Sequence, residues 1–421
     1  MVGAGYKAPP SRQGADRQIL IPGAALADIR SVRTDLVTVD PWKFPISNRI
    51  GQNLMSLELS AELSSPRLHG TPAAANQAAQ SINEARALVS DLFGHQPLVY
   101  WTDLLVTLVV GYSTAALYLR SAAFSAQQLI GFTICGFALF RAGSYVHEIA
   151  HMRGGEMLRF RVAWNLLCGI PMIMPSHFYE NHVDHHNSHH YGTVRDGEYL
   201  PLGAGPLRDI FWFFAQVPFL PAYIAVRLLL SPITFVHPRL RNGVLEHMSA
   251  YVINFRHRMT IPKNAPRKSW AALEIACSLR VAGMLGVVLF GLYPWTRLVQ
   301  MYCLATFILT LNYIRNLVAH RYQNTGEQMT HAEQLADSVN LTGHPFFTEL
   351  FFPLGLRYHA LHHLFPGIPF HNLGRAHRRL MEKLPADSPY RATVFPSYFS
   401  AVRALWSGTR EPSAAGRPVA A

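Results

Sequence analysis

Four apolar segments constrain the fold of this chain more than any other feature. They lie at about 102–119, 122–140, 271–293 and 298–314. Each approaches the roughly 20 mostly apolar residues that a helix needs to cross a bilayer. Half of all residues are hydrophobic and only 15% are charged, against about 25% charged in typical soluble proteins. The sequence therefore predicts an all-α integral membrane protein with four transmembrane helices in two hairpins.

Histidine is concentrated in three clusters next to these segments. They read His147-Glu-Ile-Ala-His151, His182-Val-Asp-His185-His186 and His359-Ala-Leu-His362-His363, and His320 lies alone between the second and third. Imidazole binds iron, zinc and copper near neutral pH. Eight clustered histidines exceed the four or so ligands of a single zinc site. The clusters therefore predict two metals that share one histidine-lined pocket.

The spacing of the histidines indicates how they reach such a pocket. His147 and His151 are four residues apart, so they share one face of a helix that is expected to continue from the second apolar segment through His151. In each HxxHH motif the first and fourth residues are expected to share a face, with the fifth beside the fourth. A second register, in which His186, His189 and His190 form the motif, stays open.

A shared site also predicts the membrane topology. Clusters that build one site lie on one side of the membrane, so the chain crosses an even number of times between His186 and His320. The third and fourth apolar segments supply both crossings, so the apolar stretches 162–175 and 207–236 are expected to lie in the interface. Seven Arg and Lys residues lie between 237 and 268, whereas the opposite loops carry only Arg120 and Arg297. This asymmetry predicts that both termini and all the histidine clusters are cytoplasmic.

The remaining composition excludes several other classes of protein. The net charge of +12 accompanies apolar segments, which favours a membrane surface over nucleic acid. The four cysteines form no CxxC pair, so neither a disulfide framework nor an iron–sulfur site is expected. Residues 1–40 lack an uninterrupted apolar core, and no signal peptide is expected. We predict a partly disordered cytoplasmic extension at 1–95 with a short helix at 82–92, a membrane domain at 96–385 and a tail at 386–421.

The HxxxH, HxxHH and HxxHH motifs, interleaved with two apolar hairpins, resemble the membrane fatty acid desaturase family over about residues 97–385. The runs 182–202 and 359–380 are especially similar to bacterial members. The resemblance implies a cytoplasmic helical cap with a di-iron centre, in a bacterial inner membrane. It implies dioxygen-dependent desaturation of a fatty acyl lipid. Electrons would come from a separate ferredoxin, rubredoxin or b-type cytochrome with its reductase, because the sequence shows no ferredoxin-like cysteine pattern and no obvious haem-binding segment.

The resemblance also implies the metal ligands. They would be His147, His151, His182, His185, His186, His320, His359, His362 and His363. Asn316-Leu-Val-Ala-His320 is similar to the NxxxH motif of acyl desaturases, in which the asparagine reaches a metal through water; a polar cap is the alternative for Asn316. Asp184, Asp196 and Glu198 are candidates to orient the ligand imidazoles. His371 and His377 are expected to be structural or phosphate-facing.

Two alternative functions remain at this stage. Hydroxylases, decarboxylases and other oxidases use similar histidine cages, and the ligand motifs do not separate them from desaturases. His147-Glu148-Ile-Ala-His151 also fits the HExxH motif of zinc metalloproteases, in which the glutamate is the general base. The protease alternative leaves the other histidine clusters without a role.

Overall fold

The computed structural model describes residues 72–408 of the chain. This part is mostly helical, and its helices are numbered here in chain order. They are α1 Pro72–Leu88, α2 Pro97–Arg120, α3 Ala126–His151, α4 Leu158–Trp164, α5 His182–His185, α6 Leu207–Ala215, α7 Leu220–Leu229, α8 Pro238–Met248, α9 Arg267–Leu289, α10 Thr296–Asn316, α11 His331–Asp337, α12 Pro345–Phe351, α13 His359–Leu364, α14 Phe370–Lys383 and α15 Tyr398–Gly408. A two-residue parallel pair, β1 Asn340–Leu341 with β2 Val394–Phe395, departs from the all-α prediction.

The four predicted membrane segments correspond to α2, α3, α9 and α10. Pro97 occupies the first turn of α2, where a missing N–H costs nothing. The Ser125 side chain accepts a hydrogen bond from the Gln128 backbone N–H and so caps α3. Helices α2 and α3 pack closely against each other as the predicted hairpin. Helix α3 continues to His151, as predicted, and thereby carries the first histidine cluster.

A fifth run, Leu207–Leu229, is also long and apolar enough to cross a membrane. Within it, α6 and α7 are separated by a short turn at Val217–Phe219. Pro218 and Pro221 lie at this break, where their missing N–H groups interrupt the helical hydrogen bonding. Five such runs within residues 72–408 indicate an integral membrane protein. The prediction that the fifth run does not cross stays a prediction.

The segment before α2 packs on the core of the protein. Helix α1 begins at Pro72 rather than at the predicted Ile82. Val89 and Leu92 are buried in one apolar cluster with Leu361 and Phe365, close to the third histidine cluster. The predicted extension before residue 72 and the end of the tail after residue 408 lie outside the described residues, and the proposed domain boundaries stay predictions.

Four chain segments bring the histidines together. They are the end of α3, the short helix α5, the segment after α10 and the short helix α13. Helices α5 and α13 have only four and six residues, too few to be stable on their own. Buried Ala360, Leu361 and Leu364 anchor α13 in the cluster that also holds α14. The apolar core therefore positions the short helices that carry the clustered histidines.

Candidate metal centre

The structure sorts the nine predicted ligands into two groups. The first group is His147, His151, His182, His186 and His362, and the second is His185, His320, His359 and His363. Within each group, one ring nitrogen of every histidine lies within 4.8 Å of those of the others. His189 and His190 belong to neither group, so the structure uses the register that begins at His182. The sequence predicted two metals that share one histidine-lined pocket, and two adjoining groups of histidines correspond to that prediction.

The HxxHH motifs divide between the groups differently from our expectation. The first and fifth residues share a group, and the fourth joins the other group. Nε2 of His182 lies 3.0 Å from Nε2 of His186, whereas His185 belongs to the second group. The spacing placed the first and fourth residues on one helical face; in the structure the first and fifth residues share a group, because residues four apart align most closely on a short helix, and each motif contributes to both groups.

Two rings of the second group show why these nitrogens suit a metal ion. Nδ1 of His185 lies 2.8 Å from Oδ2 of Asp196. Nδ1 of His320 lies 2.8 Å from the Tyr191 hydroxyl, which donates to Asp337 at 2.8 Å. Each neutral ring has one N–H, so these contacts place the lone pairs on Nε2. The two Nε2 atoms lie 3.1 Å apart, where lone pairs repel unless a cation lies between them.

The distances within the second group also fit a bound ion. Nε2 of His320 is 2.9 Å from Nε2 of His359, which is 3.1 Å from Nε2 of His363. Neighbouring ligands about 2.1 Å from one ion have separations of about this size. Burial opposes charge on His185, but the Asp196 carboxylate outweighs it and raises the pKa of His185 above its ordinary value. The Asp196 carboxylate therefore stabilises positive charge next to this ring, which a bound metal ion would supply.

The first group carries unpaired nitrogens of the kind that a metal ion would use. Both ring nitrogens of His147 and Nε2 of His151 are buried without a hydrogen-bond partner among residues 72–408. Buried polar atoms of proteins are normally paired. In the same group, Nε2 of His362 lies 3.1 Å from Nε2 of His186. The donor set of this group therefore fits a nitrogen-liganded metal as well.

Carboxylates behind the rings hold two of the histidines in place. Nδ1 of His182 lies 2.7 Å from Oε1 of Glu198, and the Tyr179 hydroxyl donates to Oε2 of the same carboxylate at 2.7 Å. Burial raises the pKa of Glu198 to about 7. Of the three acidic residues singled out in the sequence, Asp196 and Glu198 thus orient rings of the two groups. Asp184 instead lies 2.9 Å from Nδ1 of His190, outside both groups.

Sequence reasoning missed several residues of this site. Tyr191 and Asp337 hold His320, and Tyr179 holds Glu198. Arg315 lines a cavity bordered by histidines of both groups, next to the predicted Asn316. No spacing pattern in the sequence connects Tyr191 or Asp337 to His320, because they come from separate parts of the chain. Arg315 directly precedes Asn316, but its place in the sequence does not reveal that it is buried.

Glu148 does not serve the site as a protease base would. Its carboxylate accepts hydrogen bonds from the Tyr100 hydroxyl and from the Phe370 backbone N–H. These partners lie on α2 and α14, and Glu148 belongs to neither histidine group. The HExxH sequence motif is therefore present, but Glu148 is not placed as the general base of a zinc protease.

The two histidines beyond the third cluster also lie outside the groups. Nε2 of His371 accepts a hydrogen bond from the Gln96 backbone N–H at 3.2 Å. Nδ1 of His377 lies 2.7 Å from the Tyr390 hydroxyl. Both contacts join separate segments of the fold, which agrees with the structural role expected for them.

Comparison with known proteins gives this arrangement a family. The fatty acid desaturase family model matches residues 123–394, more than half of the chain. This chain belongs to the fatty acid desaturase family. It is also 36% identical over 342 residues to a ceramide hydroxylase of Caulobacter vibrioides (strain NA1000 / CB15N), an alignment that covers 79% of this chain and 95% of that protein. The family resemblance of the histidine motifs is confirmed, and the protein is an oxidoreductase of this superfamily.

Proposed function

We propose that this chain is a dioxygen-dependent lipid hydroxylase whose two histidine groups hold two iron ions. The observation that carries the proposal is the pair of histidine groups, in a chain that aligns with nearly the whole length of a ceramide hydroxylase. From the histidine motifs alone, desaturation was the expected activity and hydroxylation an alternative. The relative favours the second activity, and its name suggests a ceramide or a similar N-acyl lipid as the substrate.

The proposed reaction explains why such a site is built. An unactivated C–H bond resists acid–base chemistry, and an iron pair would supply a strong oxidant made from dioxygen. One oxygen atom enters the C–H bond, and the other leaves as water with two electrons and two protons from outside. The nine rings would hold the iron ions. Asp196 and Glu198 fix two of these rings, and the buried surroundings keep bulk water out of the reaction.

The same site supports the four-crossing topology as a proposal. Nε2 of His185 lies 3.1 Å from Nε2 of His320, so a chain that builds this site crosses the membrane an even number of times between them. Helices α9 and α10 supply two crossings, and a crossing by Leu207–Leu229 would make three. The nine- and ten-residue lengths of α6 and α7 support an interfacial position for this run.

We further propose a cytoplasmic active site at a bacterial inner membrane. The basic residues between 237 and 268 lie on the same side as the histidines in this topology, which follows the positive-inside rule. They would also attract an acidic electron donor. The proposed donor is a separate ferredoxin, rubredoxin or b-type cytochrome with its reductase.

Lipid analysis in a host that makes ceramide tests the function. Expression of this chain should yield a lipid with one added oxygen atom, and the purified active protein should hold two iron ions. A product that has lost two hydrogen atoms instead would establish the desaturase alternative. Unchanged lipids with active electron transfer, or an active sample with one zinc and no iron, would refute the proposal. His362→Ala is the matched inactive control, because it removes one ring of the first group.

A further inference from the structure

We propose that Arg315 binds an acceptor oxygen of the substrate beside the reacting carbon, so that the lipid is oxidised close to a carbonyl group rather than in mid-chain. This inference rests on the proposed function. It adds a residue that selects the substrate and fixes the position of the reaction.

Arg315 occupies the place where a substrate would meet both metal groups. It lies in the last turn of α10, one residue before Asn316, and its side chain is 6% exposed. It lines a cavity that is also bordered by His147 of the first group and by His359 of the second. A substrate group that entered this cavity would therefore lie beside Arg315.

The protein itself offers the Arg315 guanidinium few hydrogen-bond acceptors. Nε and Nη2 donate to the same acceptor, Oδ1 of Asn312, at 3.3 and 3.1 Å. Among residues 72–408, no carboxylate oxygen lies within 4 Å of Arg315. The Tyr179 hydroxyl is a second partner: it hydrogen-bonds with Arg315 and donates to the Glu198 carboxylate, which also holds His182.

Two other buried arginines of the described chain allow a comparison of hydrogen-bond and ion-pair partners. Arg227 forms an ion pair with Glu274 at 3.0 Å and donates to two serine hydroxyls at 2.6 Å. Arg357 donates to the carbonyl oxygens of Leu341 and Gly343 at 2.9 and 3.2 Å. Arg315 has two neutral partners, the Asn312 amide oxygen and the Tyr179 hydroxyl, and unlike Arg227 it has no carboxylate partner among residues 72–408. Its remaining donors are therefore available to a ligand.

The chemistry of the guanidinium limits what that ligand is. A mid-chain reaction would place only methylene groups beside Arg315, and a buried charge without acceptors is costly. A carbonyl or carboxylate oxygen accepts from a guanidinium and forms the stronger, charge-assisted type of hydrogen bond. Two lipids offer such an oxygen near the reacting carbon: the amide of an N-acyl lipid and the carboxylate of a free fatty acid.

The test compares three lipids of equal chain length with the purified full-length enzyme and its electron-donor system. The lipids are an N-acyl sphingoid base, a free fatty acid and an alkane. Mass spectrometry should place the new oxygen of the wild-type product within a few carbons of the carbonyl. Arg315→Met should lower kcat/KM for the carbonyl lipid by roughly 10- to 100-fold, the effect of losing a hydrogen bond to a charged group, with the iron content and any alkane oxidation unchanged.

Three comparisons make the result decisive. Arg315→Lys should restore part of the loss and guards against misfolding of the methionine variant. Arg280→Met removes an arginine of α9 that does not line the cavity, and it should leave kcat/KM unchanged. The lipid whose kcat/KM falls more in Arg315→Met identifies the amide or the carboxylate as the recognised group. Equilibrium binding of that lipid to the metal-free protein should weaken in the same variant.

Mid-chain oxidation by the wild-type enzyme would overturn the inference and leave the proposed function standing. An equal loss of activity on all three lipids, accompanied by lost iron, would also overturn it, since Arg315 would then act through Tyr179 and Glu198 on the metal site. A wild-type enzyme that oxidises no lipid would refute the proposed function, and this inference with it.

Discussion

Replacement of Asp196 by asparagine probes the metal site with little change in shape. The Asp196 carboxylate is fully buried and accepts three hydrogen bonds. Oδ2 accepts from Nδ1 of His185 at 2.8 Å and from the Gly192 backbone N–H at 2.9 Å, and Oδ1 accepts from the Glu198 backbone N–H at 2.8 Å. Asparagine has one acceptor oxygen, so in either orientation its NH2 group faces at least one buried N–H. The variant therefore loses both a charge and a hydrogen bond.

The size of the effect follows from these contacts. A buried donor left without its partner costs about 1–3 kcal/mol, and loss of a carboxylate behind a metal-bound histidine typically lowers metal affinity or activity by about 10- to 100-fold. We expect Asp196→Asn to lose iron to a chelator at a 10- to 100-fold lower concentration than the wild type. Lipid oxidation should fall in parallel with the iron content measured by mass spectrometry.

A matched control lies in helix α5, before Asp196 in the chain. Asp184 binds Nδ1 of His190 at 2.9 Å, a contact of the same chemistry with a histidine outside both groups. Asp184→Asn should therefore change iron retention by less than about twofold. Equal iron loss in the two variants, or no loss in Asp196→Asn, would refute the reasoning that the carboxylate acts through His185 on a metal ion.

Further predictions test the two groups, the protease alternative and a surface ion pair. His185→Ala and His362→Ala each remove one ring from a different group, and each should abolish lipid oxidation and lower the iron content on metal analysis. Glu148→Gln should retain most lipid oxidation in the same assay, since its carboxylate binds Tyr100 and Phe370 and belongs to neither group; activity as low as in the histidine variants would contradict this placement. Burial lowers the pKa of His95, but the hydrogen bond and charge of Glu156 at 2.8 Å raise it above its ordinary value overall. The stabilisation, at most about 0.5 kcal/mol for so exposed a pair, should be complete below about pH 6.5 and disappear as the pH rises through the raised pKa. The difference in thermal unfolding between wild type and His95→Gln should shrink accordingly, and a difference that grows with pH would show that the pair is not formed.

The sequence predicted the elements whose signals are local. Apolar runs of membrane length identified α2, α3, α9 and α10, and the histidine clusters together with the family resemblance identified the nine rings that converge. The helix at the end of the N-terminal segment was also predicted, but its start at Pro72 was not, because residues 72–81 carry little apolar periodicity.

Interactions between distant segments could not be predicted from the sequence. Tyr191 contacts His320 but lies 129 residues before it in the chain. Asp337 accepts a hydrogen bond from Tyr191 and comes from the segment after His320. Hydroxyl and carboxylate side chains of this kind occur throughout the chain, so nothing marks these two. The burial of Arg315 depends likewise on how α10 packs against the segments that carry Tyr179 and Glu198. Such contacts arise from tertiary packing and leave no periodic pattern.

The division of the two HxxHH motifs explains why the two groups act as one centre. Helix α5 gives His182 to the first group and His185 to the second, and His186, which caps its C-terminal end, joins the first; α13 gives His359 and His363 to the second and His362 to the first. With that cap included, each helix thus contributes to both groups, in opposite proportions. A shift of either helix relative to the other disturbs both sets of ring nitrogens at once. Because α5 and α13 are too short to be stable alone, binding of metal at either group would stabilise the helices that build the other, and the fold around the site is coupled to its occupancy.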